Sequence, residues 1–437
     1  MPRRRLLVHL RLLVLVPALA CGRLPGLVSD DAGEPDQGES PDANLDAGQT
    51  GGPDAGNTGD AGERDAGKLD AGARDGGDAG VDDAGVDSGI SYTGTPIQIP
   101  GDAPYDNWTW IPIPGAYCAD GSPTGLGINP HAGASQLMIY LAGGGMCFDY
   151  TTCFVAKTAS NLDGFTATDL AGDISELDDQ PGGLNRSNAD NPFKDWNYVV
   201  LPYCTGDIFA GTQLQTYYDP LGGAHTMDHV GHLNIEAYLQ VVVPTFIDST
   251  TQVIFGGSSA GGFGALINYY LAAQAFAPAP VYLIDDSGPP MRDPYLATSL
   301  LATIWSAWGM GAAVPPGCTS CTVANGMSSI VDYLTAAPSF RGSLISSEQD
   351  EVIKDFLTIG NPLMQFGWYY QIGLNDLYDN VIVPSGPGEF RVYFVQSSQH
   401  VWFVFNDLGQ VTSGGVTLAQ FVSNEVTPDA GFTDVVP

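Results

Sequence analysis

The chain has 437 residues, of which 49 are acidic and 15 are basic, so its formal net charge at pH 7 is −34. This surplus of acid excludes the basic footprint that nucleic-acid binding requires. It also disfavours attraction of polyanionic substrates, so we expect neither nucleic acid nor a strongly acidic polymer as a partner.

The first residues have the pattern of an export signal. Basic residues 3–5 precede the apolar run 12–20, which is too short to span a bilayer. Cys21 follows a small residue, an arrangement that resembles a bacterial lipoprotein box. We therefore expect residues 1–21 to be a lipoprotein signal and Cys21 to be lipidated. The exported protein would be a cell-envelope lipoprotein or a secreted protein, touching the membrane only through this lipid.

Residues 22–90 have a different composition from the rest of the chain. The tripeptide Asp-Ala-Gly occurs eight times here, and large apolar side chains are almost absent. Such a segment cannot bury enough apolar surface to offset the entropy lost on ordering. We predict a disordered acidic linker, a stalk, over residues 22–90. It leads to one folded domain over residues 91–437, which we expect to be a monomer.

Beyond residue 90, apolar strand-like segments alternate with helical ones, and polar or glycine residues follow the strand ends. This alternation indicates an α/β fold, a mostly parallel sheet flanked by helices with its site at the carboxyl edge. The predicted segments are strands at Gln136–Leu141 and Asn197–Leu201, a helix at Ile235–Phe246, a strand at Gln252–Phe255, a helix at Phe263–Phe276, and strands at Val281–Ile284, Arg341–Ile345 and Arg391–Val395.

A nucleophile elbow is the strongest local motif. Residues 257–261 read Gly-Ser-Ser-Ala-Gly, a G-x-S-x-G that lies between a predicted strand and a predicted helix. In this context the serine sits on a sharp turn and its hydroxyl projects from the edge of the sheet. Ser259 is therefore the predicted nucleophile. The alternative is a glycine-rich turn that only packs the helix on the sheet.

A serine nucleophile needs a base to take its proton and an acid to orient that base. His400 follows the last predicted strand, and the order serine, acid, histidine is that of α/β-hydrolases. We predict His400 as the base and Asp350 as the acid. Asp286 is the main alternative acid, and Asp285 and Asp332 also lie between the serine and the histidine.

An oxyanion hole needs backbone N–H groups that converge on one point. The residue after the nucleophile, Ala260, supplies one, and a glycine-rich loop after an earlier strand supplies the rest, as in esterases with an HGGG motif. Gly144 and Gly145 stand in such a loop, directly after the strand that ends at Leu141. We predict these three residues as the donors.

A histidine cluster offers a competing metal site. His225, His229 and His232, with Asp228, have spacings of three and four, which would place ligands on one face of a helix. Gly231 interrupts such a helix, and no glutamate follows His225 as in H-E-x-x-H motifs. We expect no metal and no cofactor. A metal-dependent hydrolase remains the rival reading of these histidines.

Six cysteines remain after Cys21 is set aside. An even number in an exported protein indicates disulfides, although six cysteines allow 15 pairings. The local pairs would be Cys147 with Cys153 and Cys318 with Cys321, leaving Cys118 for Cys204. The C-x-x-C at Cys318 also fits a redox or zinc site.

Together these motifs resemble the pectin acetylesterase family, which also contains the lipid-removing esterase Notum. The matching segments are Leu141–Cys147 with Cys153, Pro202–Asp207, Gly257–Gly262, Gln349–Glu351 and Gln399–His400.

The resemblance implies an α/β-hydrolase with a Ser259, Asp350 and His400 triad. It also implies an oxyanion hole at Gly144, Gly145 and Ala260, and bridges Cys118–Cys204 and Cys147–Cys153. We expect a serine esterase whose substrate is an ester, in particular an acylated carbohydrate that it deacetylates. The alternative is an inactive hydrolase fold that binds glycan or lipid.

Overall fold

A computed structural model of the protein describes residues 91–428 and 431–437. The predicted signal 1–21, the lipidation site Cys21 and the linker 22–90 lie outside the described residues. Within the described part of the chain, no helix combines the length and the apolar character that crossing a bilayer requires.

The described residues form twelve strands and eight α-helices. The strands are β1 (Thr109–Tyr117), β2 (Pro123–Asn129), β3 (Gln136–Leu141), β4 (Asn197–Leu201), β5 (Gln213–Tyr218), β6 (Ala224–His229), β7 (Gln252–Ser258), β8 (Val281–Asp286), β9 (Arg341–Ser347), β10 (Glu389–Val395), β11 (Thr412–Ser413) and β12 (Val416–Thr417). The helices are α1 (Ala167–Asp178), α2 (Gly231–Phe246), α3 (Ala260–Ala275), α4 (Thr298–Trp308), α5 (Ser328–Thr335), α6 (Glu351–Leu357), α7 (Gly367–Leu377) and α8 (Leu418–Glu425).

Eight strands form one twisted sheet in the order β1-β2-β4-β3-β7-β8-β9-β10. β1 and β2 run antiparallel to their neighbours, and the other six strands pair in parallel. The six parallel strands place their carboxyl ends at one edge, where loops of distant sequence meet. The predicted α/β class with a mostly parallel sheet is therefore confirmed.

The parallel strands are buried on both faces because helices and loops cover each side. In β3, Leu137 and Ile139 face a core shared with α2 and α3, whereas Met138 and Tyr140 face a second core that includes residues of α8. This explains why the strands read as continuous apolar runs rather than as alternating ones.

The predicted strands match the structure closely in the parallel region. The bounds of β3 and β4 are those read from the sequence, and β7, β8 and β9 begin where predicted but run two or three residues further. The antiparallel strands β1 and β2 and the hairpin β5–β6 were not predicted. Prolines and glycines interrupt β1 and β2 and obscure the strand pattern. Proline is tolerated there because β1 is an edge strand and Pro123 is the first residue of β2.

Among the described residues there are three disulfides, and they join the pairs named from the sequence. Cys118 bonds to Cys204, Cys147 to Cys153 and Cys318 to Cys321. The first of these links the end of β1 to the end of β4, two strands that have only β2 between them. All six bridged cysteines are buried.

Candidate active site

The segment between β7 and α3 forms a strained turn with Ser259 at its tip. Ser259 has φ of 58° and ψ of −119°, a conformation that residues other than glycine rarely adopt. Its backbone N–H donates to the carbonyl oxygen of Asp286 at 2.7 Å, and its own carbonyl accepts from the N–H of Gly262. These bonds hold the turn in the geometry expected of a nucleophile elbow.

The two glycines of the motif are required by close backbone approach. A Cβ on Gly257 would lie 2.4 Å from the carbonyl oxygen of Gly261. A Cβ on Gly261 would lie 2.0 Å from the carbonyl oxygen of Leu141, at the end of β3. The elbow therefore packs directly on the strand that leads into the glycine-rich loop.

Ser259 lies in a cleft of about 510 Å³ that opens to solvent. Gly145 and Ala260, two of the three predicted oxyanion donors, line the same cleft. The other lining residues are all apolar: Met146, Ile208, Phe263, Pro289, Leu296, Ile304, Met327, Ile353, Phe356 and Leu357. Any group bound beside Ser259 would thus meet hydrocarbon surface.

His400 and Asp350 form a close pair at the carboxyl ends of neighbouring strands. Nδ1 of His400 lies 2.8 Å from Oδ2 of Asp350, which is fully buried. Asp350 also begins α6, where its Oδ1 accepts from the N–H groups of Val352 and Ile353, both at 2.9 Å. One carboxyl group thus caps the helix and orients the imidazole, which fixes its direction.

Asp286, the alternative acid, makes different contacts. It is fully buried, and its carboxylate accepts from the backbone N–H groups of Trp402 and Phe403 and from the hydroxyl of Ser258. Burial raises the pKa of Asp286, and the bonds it accepts oppose that rise. It therefore holds the backbone that follows His400, while Asp350 contacts the imidazole.

The remaining candidate acids, Asp285 and Asp332, have other surroundings. Asp285 is the neighbour of Asp286 on β8 and points to the opposite face, where Oδ1 accepts from the N–H of Gly288. Burial raises its pKa well above the usual range. Asp332 lies on α5, and partial burial raises its pKa as well.

The glycine-rich loop after β3 is anchored through its carbonyl oxygens. The N–H of Ser160 donates to the carbonyl of Gly144, and the hydroxyl of Tyr203 donates to the carbonyl of Gly145, both at 2.8 Å. In a trans peptide the N–H points away from the carbonyl of the same unit. The bond from Ser160 therefore fixes the direction of the Gly145 N–H.

The loop also requires glycine for steric reasons. Gly145 has φ of 75°, and a Cβ there would lie 2.2 Å from the carbonyl oxygen of Thr158. A Cβ on Gly144 would lie 2.5 Å from Cδ1 of the Tyr203 ring. Tyr203 therefore packs against the loop as well as bonding to it.

The histidine cluster does not form the helical face that its spacing suggested. His225 and His229 lie on β6, and His232 lies in the first turn of α2. Each contacts a different partner: His225 lies 3.2 Å from Asp219, His229 lies 2.8 Å from the Tyr217 hydroxyl, and His232 lies 2.6 Å from the Asn268 side chain. Asp228 is also on β6. The helical premise of the metal hypothesis is therefore wrong, because three of these residues lie on a strand and only His232 lies on a helix.

Two residues near the cleft, Tyr203 and Asp207, make contacts that the sequence did not predict. The Tyr203 hydroxyl accepts from the N–H of Ile208 at 2.8 Å while it donates to Gly145, and Asp207 accepts from the N–H groups of Phe209 and Gly231. Burial raises the pKa of Asp207 to about 6. The Tyr-Cys-x-x-Asp segment is visible as a motif in the sequence, but its contacts to the loop and the cleft wall depend on the folded chain.

The sheet order, the strained serine and the buried histidine–aspartate pair define the class of this protein as an α/β-hydrolase. Residues 110–321 match the family model described as Pectinacetylesterase. The resemblance to the pectin acetylesterase and Notum family that was read from the sequence is therefore confirmed.

Several curated relatives are Notum proteins. The chain is similar to palmitoleoyl-protein carboxylesterase NOTUM of Schmidtea mediterranea, with 30% identity over 168 residues, 35% of this chain and 27% of that protein. For NOTUM of Homo sapiens the identity is 26% over 160 residues, 36% of this chain and 30% of that protein. These alignments span about three tenths of the relatives' length.

A solved structure shares the fold over a longer stretch. The Wnt deacylase Notum from Drosophila superposes with a TM-score of 0.54 at 19% identity, covering 72% of this chain and 91% of that one. At this identity the likeness concerns the fold.

Proposed function

We propose that this protein is a serine carboxylesterase in which Ser259 is the nucleophile, His400 the base and Asp350 the acid. The observation that carries the proposal is the 2.8 Å contact between Nδ1 of His400 and the buried carboxylate of Asp350, at the sheet edge where Ser259 projects into a cleft. A surface histidine would have no buried carboxylate partner. The family and the fold support the same reaction class.

The chemistry follows from the position of each group. His400 takes the hydroxyl proton of Ser259 through Nε2 as the oxygen attacks the ester carbonyl, and Asp350 stabilises the imidazolium through Nδ1. The N–H groups of Gly144, Gly145 and Ala260 stabilise the negative charge on the carbonyl oxygen. His400 then protonates the leaving alcohol, and water releases the acyl group from Ser259 by the reverse steps.

The cleft supports an ester with an apolar acyl group. Its lining beside Ser259 is hydrocarbon apart from the serine and the backbone. Burying an acyl chain there would contribute roughly 0.8 kcal/mol for each methylene removed from water. The curated relatives are named as palmitoleoyl-protein carboxylesterases, which fits this reading. Deacetylation of a carbohydrate, as expected from the sequence, is the second candidate, because the family model is that of pectin acetylesterases.

Three buried disulfides support export to an oxidising compartment. Lipidation at Cys21 remains a sequence-based proposal. Metabolic labelling with a palmitate analogue would show acyl attachment in the natural chain and none in Cys21→Ser. Absence of label in the natural chain would refute the anchor.

A series of p-nitrophenyl esters from acetate to octanoate tests the acyl preference. We expect kcat/KM to rise with chain length until the cleft is filled. Ile353→Phe, which narrows the cleft, should shift the optimum to shorter chains. Ile359→Phe, the same change at an exposed residue close by, should not. Highest activity on acetate would favour the deacetylation proposal, and a folded protein inactive on every ester would favour the inactive binding fold.

A further inference from the structure

Asp286 is hydrogen-bonded both to the turn that carries Ser259 and to the loop that carries His400. The backbone carbonyl of Asp286 accepts from the N–H of Ser259 at 2.7 Å. Its Oδ2 accepts from the hydroxyl of Ser258 at 2.8 Å, directly before the nucleophile. The same oxygen accepts from the N–H groups of Trp402 at 3.0 Å and Phe403 at 2.9 Å, directly after the base loop.

The loop that carries His400 has a backbone conformation that needs such support. Val401 has φ of 65°, and a β-branched residue is a true outlier in that region. Strained residues of this kind persist only where the surrounding structure holds them. The N–H of Val401 donates to the hydroxyl of Ser287 at 3.2 Å, and that hydroxyl donates to Oδ1 of Asp286 at 3.2 Å.

Three strained residues therefore surround Asp286, one at its backbone carbonyl and two at its carboxylate. Ser259, Ser287 and Val401 all have φ between 58° and 65°, and each is bonded to Asp286 directly or through one hydroxyl. The hydroxyl of Tyr140 also contacts Ser258 from the neighbouring strand β3. Asp286 is fully buried and does not line the cleft beside Ser259.

We infer that Asp286 is a positioning residue, which fixes His400 relative to Ser259 without touching the substrate. The inference rests on the proposed serine-esterase function. Loss of this carboxylate would leave the cleft in place but would release the backbone on which His400 is held, and so loosen the contact of His400 with Asp350. Small displacements of a catalytic group can cost on the order of 100-fold in rate. The effect should therefore fall on kcat and leave KM nearly unchanged.

The direct test is Asp286→Asn in the full chain, compared with the natural chain, Asp350→Asn and Glu425→Gln. The asparagine keeps the shape but presents an NH₂ group to donors that now meet a carboxylate oxygen. We expect kcat to fall about 10- to 100-fold with KM within about twofold. The downfield proton resonance of His400 Nδ1 should broaden or disappear.

Glu425→Gln is the matched control for a merely structural role. Glu425 is also fully buried, and it accepts from the hydroxyl of Ser343, away from the candidate active site. Its kcat and the His400 resonance should stay unchanged. Ser258→Ala, which removes one bond to Asp286, should lower kcat by about two- to tenfold, and it keeps the inference testable if Asp286→Asn does not fold.

Three results would overturn the inference. A kcat of Asp286→Asn within twofold of the natural chain is one. A loss that disappears when activity is expressed per folded molecule is the second. The third is an active Asp350→Asn with an inactive Asp286→Asn, which would make Asp286 the triad acid. A natural chain with no esterase activity would instead refute the proposed function itself.

Discussion

At the scale of single residues, the central feature is that the two oxygens of Asp350 have separate tasks. Oδ1 caps α6 through two backbone N–H groups, and Oδ2 contacts His400. The helix thereby fixes the carboxylate, and the carboxylate fixes the imidazole. This arrangement would favour the tautomer with its proton on Nδ1, leaving Nε2 free to act as the base.

Asp350→Asn should expose this dependence. The amide oxygen can still cap α6, but an NH₂ group toward Nδ1 would favour the wrong imidazole tautomer. We expect kcat to fall about 10⁴-fold, by analogy with other triads, while the fold is kept. Steady-state kinetics on a soluble ester, with circular dichroism as the folding control, checks this. Activity within tenfold of the natural chain would refute the role of Asp350.

Glu425 gives a prediction about stability and pH. Burial raises its pKa from an ordinary 4.5 to about 8. Between these values the folded state holds a proton that the unfolded state has lost, so stability falls as the pH rises from about 4.5 to about 8.

Glu425→Gln should remove that decline, because the amide resembles the protonated acid. The stability of the variant relative to the natural chain should therefore rise between pH 5 and pH 8, by a few kcal/mol at most, at about 1.4 kcal/mol per pKa unit. Urea unfolding at several pH values measures this. A difference independent of pH would show that Glu425 is already ionised in the folded protein.

Residue-level prediction from the sequence is possible where chain order carries the information. Ser259, Asp350 and His400 each follow a strand that is recognisable by its apolar run, so their meeting at one edge could be expected. The contacts of Asp286 and Tyr203 could not be read in this way. They depend on which backbone groups a folded loop presents, and no local pattern encodes that.

At the scale of elements, the elbow and the glycine-rich loop form one unit. Gly261, in the first turn of α3, touches the backbone of Leu141 and Ala142 where β3 passes into the loop. The nucleophile and the proposed oxyanion donors are therefore positioned by the same contact.

Gly261→Ala should shift the nucleophile elbow relative to the glycine-rich loop. The new Cβ would lie 2.0 Å from the Leu141 carbonyl oxygen, so α3 or the loop must move. We expect kcat to fall by about 100-fold or more. Gly172→Ala is the control, because Gly172 lies in α1 with no atom within 4 Å of the added Cβ. That variant should keep full activity and gain about 0.5–1 kcal/mol of stability.

The parallel strands could be predicted because burial on both faces makes them continuous apolar runs. The hairpin β5–β6 could not, since its residues are mostly exposed or half-buried and polar, with the histidines that suggested a metal site among them. The histidine spacings of three and four over residues 225–232 suggest a helix, whereas this segment contains most of β6 and the start of α2.

At the scale of the whole molecule, the disulfides differ in the length of chain they close. The Cys118–Cys204 bond spans 86 residues and Cys318–Cys321 spans three. In the chain-entropy model the longer loop contributes more stability, typically about 2–4 kcal/mol. Replacing Cys118 and Cys204 together by serine should lower the free energy of unfolding by that amount, and replacing Cys318 and Cys321 by less. Equal losses, measured by urea unfolding, would contradict the entropic account.

The most direct test of the whole account is labelling with a serine-reactive alkyl phosphonate, followed by peptide mapping. We expect one phosphonylated residue, Ser259, with no label in Ser259→Ala and slow labelling in His400→Ala. Turnover in each variant should fall on the order of 10⁶-fold, as for other triads that act as a unit. Label on Ser258, or normal ester hydrolysis by Ser259→Ala, would contradict the assignment of the nucleophile and of the mechanism built on it.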